Sequence, residues 1–330
     1  AYLDAQASGG GITAAVIGRA YKNTGARNML LIPVEFPDKT GSPWSTDSVR
    51  ASRVSDIQDY FSTVSYGEFT LPAITTASLQ MMDENVTYYT LDHGGVLSYR
   101  VLRDHALAKA KTSGYDSDSY DFVSIVINHN LYWWGGRGQL GDKISWIDGY
   151  SYGTELDQRT GTYTHELGHN LGLMHANAWD STTSVPDDIN GTHEEYGHEF
   201  DSMGSGSSEY DEEHFNACFK NALDWLPDSS IITVTADTTV DLYAMDQTQV
   251  SGRTYAIKIP AGITLGSSSN LDYWIEFRSR YPANSTLDDG VLIYMCNNTL
   301  TSKALKLLDM NPSTSGVLDA GLDMGASFTT

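Results

Sequence analysis

The run His165-Glu166-Leu167-Gly168-His169-Asn170-Leu171-Gly172-Leu173-Met174-His175 decides how this chain is read. On an α-helix His165 and His169 are i,i+4 neighbours on one face, about a turn apart, so both imidazoles can reach one point. A continuing helix would carry His175 roughly 240° further round and about 9 Å further along. The helix must therefore stop and the chain must turn back. Gly172 stands where that reversal is needed, and without a Cβ it enters the left-handed conformation that ends a helix. The spacing predicts a helix, a helix-ending turn at Gly172 and three converging imidazoles.

Three neutral imidazoles are a donor set for Zn²⁺ and leave one tetrahedral position open, as a catalytic zinc site does. His165, His169 and His175 are the candidate metal ligands. Glu166, next to the first of them, projects beside the open position. There a carboxylate can take a proton from water and hand it to a leaving amine, so Glu166 is the candidate catalytic residue of a peptide hydrolysis. The competing reading is an ordinary amphipathic helix that carries surface histidines.

Residues 165–175 resemble the extended zinc motif of the metzincin metallopeptidases, written HExxHxxGxxH, whose other hallmark is a methionine-containing turn. Tyr196-Gly197-His198-Glu199-Phe200-Asp201-Ser202-Met203-Gly204 is similar to that turn in the gametolysin-like (autolysin) branch, with Met203 as the structural methionine. Two departures stand out. His198 occupies a place where Asp or Asn is expected, and no tyrosine stands two positions after Met203. Tyr196 and Tyr210 are then the candidates for a tyrosine aimed at the oxyanion. The resemblance covers residues 28–228 and implies an α+β catalytic domain with an α/β-like twisted mixed sheet and a zinc helix. It also implies one catalytic Zn²⁺ and a secreted, extracellular endopeptidase.

The pattern outside the motif agrees with that class. Residues 27–36 read as a buried first strand, 47–66 as an amphipathic helix and 69–76 as a second strand. Residues 95–113 are helical through Val96, Tyr99, Leu102, Ala106 and Ala110, with Gly114 as a stop, and 122–127 form an apolar strand. Before the zinc helix come the glycine-rich residues 133–141 and then 144–148. In the family an edge strand here pairs with extended substrate, and 144–148 is its candidate; a glycine-rich surface loop without substrate contact is the alternative. Residues 212–220 read as the helix that closes the catalytic domain.

From residue 229 the pattern changes to short alternating runs at 231–234, 240–243, 255–259, 273–277 and 291–295. Ala261-Gly262 and Asp288-Asp289-Gly290 mark turns between them. The chain thus reads as a catalytic domain over 1–228 and a small all-β, sandwich-like domain over 229–330, for support or for substrate binding. Cys218 and Cys296, the two cysteines, permit one bridge, which would tie the closing helix to this second domain.

With 330 residues, 40% of them hydrophobic, the chain can bury sizeable cores. No apolar run approaches the roughly 18 residues of a membrane span. A net charge of −22, from 42 acidic and 20 basic residues, repels nucleic acid and anionic membranes. The expected partner is a protein or glycoprotein substrate acted on by a monomer, with no nucleic acid and no membrane insertion. Acidic clusters at Asp116-Ser117-Asp118-Ser119-Tyr120-Asp121 and Asp187-Asp188 offer oxygens to Ca²⁺, or are solvated turns. A second function class stays open: a glycan- or matrix-binding protein whose zinc domain contributes structure only.

Overall fold

Met29 to Val34 are buried without a break, so this stretch has no face to turn to water and belongs inside a sheet covered on both sides. In the computed structural model, which describes residues 23–132, 134–148, 160–181, 191–204, 214–280, 290–297, 305–314 and 316–329, it lies there. The protein is α+β, with two mixed sheets and few helices. It divides into two units: Ala1–Thr63 with Phe69–Gly172, and Val64–Glu68 with Leu173–Thr330. The boundary expected at residue 228 lies inside the second.

In chain order the first unit contains β1 (Gly25–Glu35), α1 (Asp47–Val64), β2 (Phe69–Thr76), β3 (Gln80–Met81), α2 (Ser98–Thr112), β4 (Phe122–Ile127), β5 (Gly136–Gly138), β6 (Ile144–Ile147) and α3 (Thr160–Asn170). The sheet runs β2-β1-β4-β6-β5, with β3 also on β1; every pair is parallel except β5 with β6. Helix α2 buries Tyr99, Leu102, Ala106 and Ala110, spaced along one stripe, in a core with Leu30, Ile32, Val123, Ile125 and Trp146. It begins at Ser98 and not at 95 because Gly94 and Gly95 both take positive φ, outside the helical region.

Residues 144–148, expected at the edge, are corrected by the structure. Ile144–Ile147 lie between β4 and β5 with all four side chains buried, as an interior strand requires, and Gly136–Gly138 form the antiparallel edge.

The second unit holds β7 (Asn177–Ser181), β8 (Gly191–Glu194), α4 (Ala217–Ala222), β9 (Ile231–Thr233), β10 (Ala256–Leu265), β11 (Ser268–Phe277), β12 (Val291–Cys296) and β13 (Lys306–Leu308). All of its strands form one sheet, β8-β7-β13-β12-β11-β10-β9. The strands expected as a separate sandwich-like domain therefore share a sheet with two from the segment between His175 and Met203. The join is β13, whose Lys306, Leu307 and Leu308 pair in parallel with Asn177, Ala178 and Trp179.

Ala261-Gly262, expected as a turn, is instead a bulge within β10. The register slips between Ile259 and Ile263, Gly262 takes φ +62°, and Asp272 Oδ1 accepts the N–H groups of Ala261 (2.9 Å) and Gly262 (3.2 Å). The hairpin turns at Gly266 (φ +58°) instead. Residues 240–243 make no strand, only a bridge from Leu242 to Thr254. Asp288 and Asp289 lie outside the described residues.

Helix α4 starts at Ala217; Glu212 and Glu213 of the expected helix lie outside the described residues. Its first N–H groups, which no helical carbonyl can satisfy, are met from elsewhere. Asn216 Oδ1 accepts from Phe219 N–H (2.9 Å), Glu276 Oε2 from Ala217 N–H (2.7 Å) and Tyr294 Oη from Cys218 N–H (3.3 Å). Glu276 is buried and paired with the equally buried Arg278 at 2.7 Å. Cys218 and Cys296 form a disulfide between α4 and β12. Among the described residues no helix is long and apolar enough to cross a membrane.

The disulfide joins cysteines 78 positions apart, so it removes a large loop-closure entropy from the unfolded chain. Replacing Cys218 and Cys296 together with serine is expected to lower the unfolding free energy by about 2–5 kcal/mol, read from denaturant titration. Two free thiols in the native protein by mass analysis would contradict the bridge.

Candidate metal centre

Helix α3 is buried almost all round, including Thr164, Glu166, His169 and Asn170 among its polar residues. A helix of this kind needs neighbours that approach without side chains. Strand β5 supplies them. A Cβ on Gly136 would stand 2.5 Å from Glu166 Oε1, and one on Gly138 would stand 2.4 Å from the Glu166 carbonyl oxygen and 2.7 Å from His169 Cβ. Gly136 and Gly138 are two apart on a strand, so the same face is bare at both.

The end of α3 is equally determined. His169 O accepts the N–H groups of Gly141 and Gly172, both at 2.9 Å. Asn170 Nδ2 donates to Gln139 O (3.0 Å) and Ile144 O (2.8 Å), which moors the last turn to β6. Gly172 takes φ +98°, and the chain leaves the helix there.

His165, His169 and His175 each offer one ligand atom, and these atoms lie within 4.8 Å of one another. The His165 and His169 rings meet edge to face, centroids 4.8 Å apart; His169 and His175 are buried. Three imidazole nitrogens are a donor set that suits Zn²⁺. Among the described residues this is the one such group of three, and it can hold a metal ion.

Glu166 is 1% exposed. Burial pushes its carboxyl up to about 8, against the Gly138 N–H and the Arg137 guanidinium, which favour the charged form. A cation held by the neighbouring imidazoles would favour the carboxylate further.

Around His175 the structure gathers Glu195 and Asn177, which no motif identified, and Tyr196, which stands in the Met203 segment. Glu195 Oε1 lies 2.7 Å from His175 Nδ1. The Tyr196 ring lies on the imidazole with centroids 3.8 Å apart and 34° between planes. Asn177 Nδ2 donates to His175 O (3.0 Å), while its Oδ1 accepts from Tyr196 N–H (3.1 Å). Of the two candidate oxyanion tyrosines, Tyr196 is thus engaged with His175, and Tyr210 lies outside the described residues.

Met203 is fully buried, and its carbonyl accepts the N–H of Ala176, the residue after His175, at 2.8 Å. Its turn is organised by Asp201. One carboxylate oxygen accepts Met203 N–H (2.7 Å), and the other accepts Asn216 N–H (2.6 Å) and Asn216 Nδ2 (2.7 Å). Gly204 is forced, since a Cβ there would stand 1.9 Å from His198 O. His198 is buried, with its ring nitrogens in no hydrogen bond among the described residues. Burial, aided by Arg278, holds its pKa well below the ordinary value, so the ring is neutral.

The acidic cluster at 116–121 spends its carboxylates within the protein. Asp116 pairs with Lys111 (3.0 Å), Asp118 with Lys143 (3.4 Å), and Asp121 Oδ2 accepts from Asn28 N–H (3.0 Å). Asp187-Asp188 lies outside the described residues.

No family model matches the chain, and no curated protein matches it. Solved structures similar to it include a chain of a chaperone-substrate complex, at 15% identity and TM-score 0.33, covering 60% of this chain and 30% of that one. Metalloproteinase-II from Bacteroides fragilis is similar at 12% identity and TM-score 0.34, covering 59% of this chain and 50% of that one. The chain spans half or less of the length of each. At these TM-scores the reading of the site stands on its own residues.

Gly138→Ala is expected to destabilise the protein by about 1–3 kcal/mol and to weaken metal binding, because the new methyl meets helix backbone that cannot move aside. Gly135→Ala is the control: its Cβ would meet nothing nearer than Thr162 Cγ2 at 3.9 Å, and it should stay within about 0.5 kcal/mol of the parent. Denaturant unfolding of both variants, with zinc titration, makes the comparison.

Proposed function

We propose that this protein is a zinc-dependent endopeptidase of the metzincin type, similar to gametolysin-like enzymes, that acts as a monomer on extracellular proteins or glycoproteins. The observation that carries the reading is the convergence of His165, His169 and His175 with Glu166 between the first two ligands. The donor chemistry favours zinc. The Cys218–Cys296 disulfide is consistent with an oxidising, extracellular setting. A net charge of −22 argues against nucleic acid as the substrate.

When bound, zinc supplies a Lewis acid that polarises the scissile carbonyl and makes water a better nucleophile at neutral pH. The remaining work falls to the chain. His165 and His169 hold their positions because α3 is seated on β5 and moored through Asn170. His175 is held from the far side of the Gly172 turn. Glu166 accepts the proton of the attacking water on its carboxylate and delivers it to the departing amine nitrogen. Its seat under Gly136 keeps solvent from the carboxyl and restricts its rotation. Met203 gives the chain after His175 a fixed floor through its carbonyl.

The alternative reading, a glycan- or matrix-binding protein with a structural zinc, makes a different prediction for Glu166. Glu166→Gln is expected to cut hydrolysis of casein or gelatin by about 10²- to 10⁴-fold while retaining one zinc per chain, the range for loss of a positioned acid-base group. Removal of zinc by a chelator should abolish the wild-type activity and added Zn²⁺ should restore it. A wild-type protein with full zinc and no hydrolysis of any protein substrate would overturn the peptidase reading and favour binding.

A further inference from the structure

Two of the three candidate ligands ride on a helix, and their spacing is set by helical geometry. The third does not. His175 follows the Gly172 turn as irregular chain, so something other than secondary structure must fix its ring. The ring contacts come from Glu195 and Tyr196, just past the end of β8, and Asn177 of β7 braces the His175 carbonyl.

The antiparallel pair β7 and β8 sets Ala178 opposite Glu194. Beyond that pair, Gly197 lets the two chains close up, since a Cβ there would stand 2.7 Å from Ala178 Cβ. The approach puts Glu195 Oε1 2.7 Å from His175 Nδ1. This contact engages the Nδ1 side of the ring, so a metal would be taken by the Nε2 side. The Tyr196 ring covers the imidazole face at 3.8 Å and limits its rotation.

Tyr196 adopts φ +65°, a left-handed conformation uncommon for a non-glycine residue, which persists only where the surroundings over-determine it. Asn177 does so here: one end of its amide takes Tyr196 N–H and the other donates to His175 O. The hydrogen bond, the ring contact and the amide bridge all close on the same histidine.

We propose that Glu195, assisted by Tyr196, is the positioning residue of the third metal ligand, fixing the tautomer and ring plane of His175 and thereby the affinity and ligand field of the site. The inference rests on the metal-site reading above and assigns Glu195 no direct contact with substrate. The Glu195 side chain is 55% exposed, so its truncation leaves no cavity in the core.

The test uses the full-length protein and three variants, Glu195→Ala, Glu195→Gln and Glu195→Asp. The readouts are the zinc dissociation constant by competition with a chromophoric chelator, the visible spectrum of the cobalt-substituted protein and the unfolding midpoint of the metal-free form. Loss of a group that orients a ligating histidine weakens metal binding by about 10- to 100-fold, and Glu195→Ala is expected in that range with displaced cobalt bands. Glu195→Gln, which keeps an acceptor oxygen but not the charge, should lose less, and all metal-free midpoints should match the parent. Zinc affinity within twofold of the parent and an unchanged cobalt spectrum in Glu195→Ala would overturn the proposal. So would an affinity loss accompanied by an equal fall in metal-free stability. A parent protein that takes up no zinc would instead overturn the metal-site reading beneath it.

Discussion

A helix that buries a glutamate, a histidine and an asparagine exists only if its surroundings both make room for it and answer its polar groups. Helix α3 meets that condition through the strand beside it. The bare glycines of β5 let the helix backbone approach more closely than any side chain would allow, and the carbonyls of Gln139 and Ile144 take both protons of the Asn170 amide. Strand β5 in turn needs β6 as its partner, and β6 is held by β4 in the middle of the first sheet. The positions of His165, His169 and Glu166 are thus consequences of sheet register, carried to the site by two residues with no side chain.

A related economy governs the irregular chain. Buried carboxylates accept backbone N–H groups wherever a segment has no ladder to join. Asp148 takes those of Leu131 and Tyr132, Asp246 those of Ser279 and Arg280, Glu276 that of Ala217, and Asp201 those of Met203 and Asn216. Each satisfies donors that would otherwise be left unanswered in the interior. Part of the large negative charge therefore serves as internal scaffolding. For Asp201, burial pushes the pKa up to about 6 while the donors pull against it, so the ionised form depends on the hydrogen bonds that shape the turn.

Periodicity is legible where burial is one-sided or complete and local. The apolar stretches of β1 and β4, the stripe on α2 and the His-Glu-His spacing on α3 could be read directly, since each is decided by neighbours a few residues away. The order of strands could not. Ile144–Ile147 carries the same apolar pattern whether inside or at an edge, and only the pairing of Gly136–Gly138 beside it decides which it is. Strands β7 and β8 read Asn-Ala-Trp-Asp-Ser and Gly-Thr-His-Glu, with no apolar alternation to announce them. Their place in the second sheet depends on pairing with Lys306–Leu308, more than a hundred residues along. Glu195 was invisible for the same reason: its partner is fixed by a hairpin the local pattern does not encode. The glycines of β5 did leave a trace. Two glycines spaced by two just before a buried polar helix are what a close strand-to-helix approach requires.

The turn around Met203 is organised by Asp201, while His198 stands where the resemblance expects Asp or Asn. A tight turn around Met203 needs a side-chain acceptor to collect the N–H groups that its backbone cannot pair. Asp201 is that acceptor, reaching Met203 on one side and Asn216 on the other. Position 198 meets a different demand. Its ring lies among aromatic neighbours, 6.2 Å from Phe200 and 6.0 Å from Tyr294 between centroids, close to the cationic Arg278. A neutral imidazole fills this space and adds no charge beside Arg278. Within a turn whose backbone path is set by Gly204 and the carbonyl of Met203, Asp201 thus supplies the acceptor while His198 fills an aromatic-lined space.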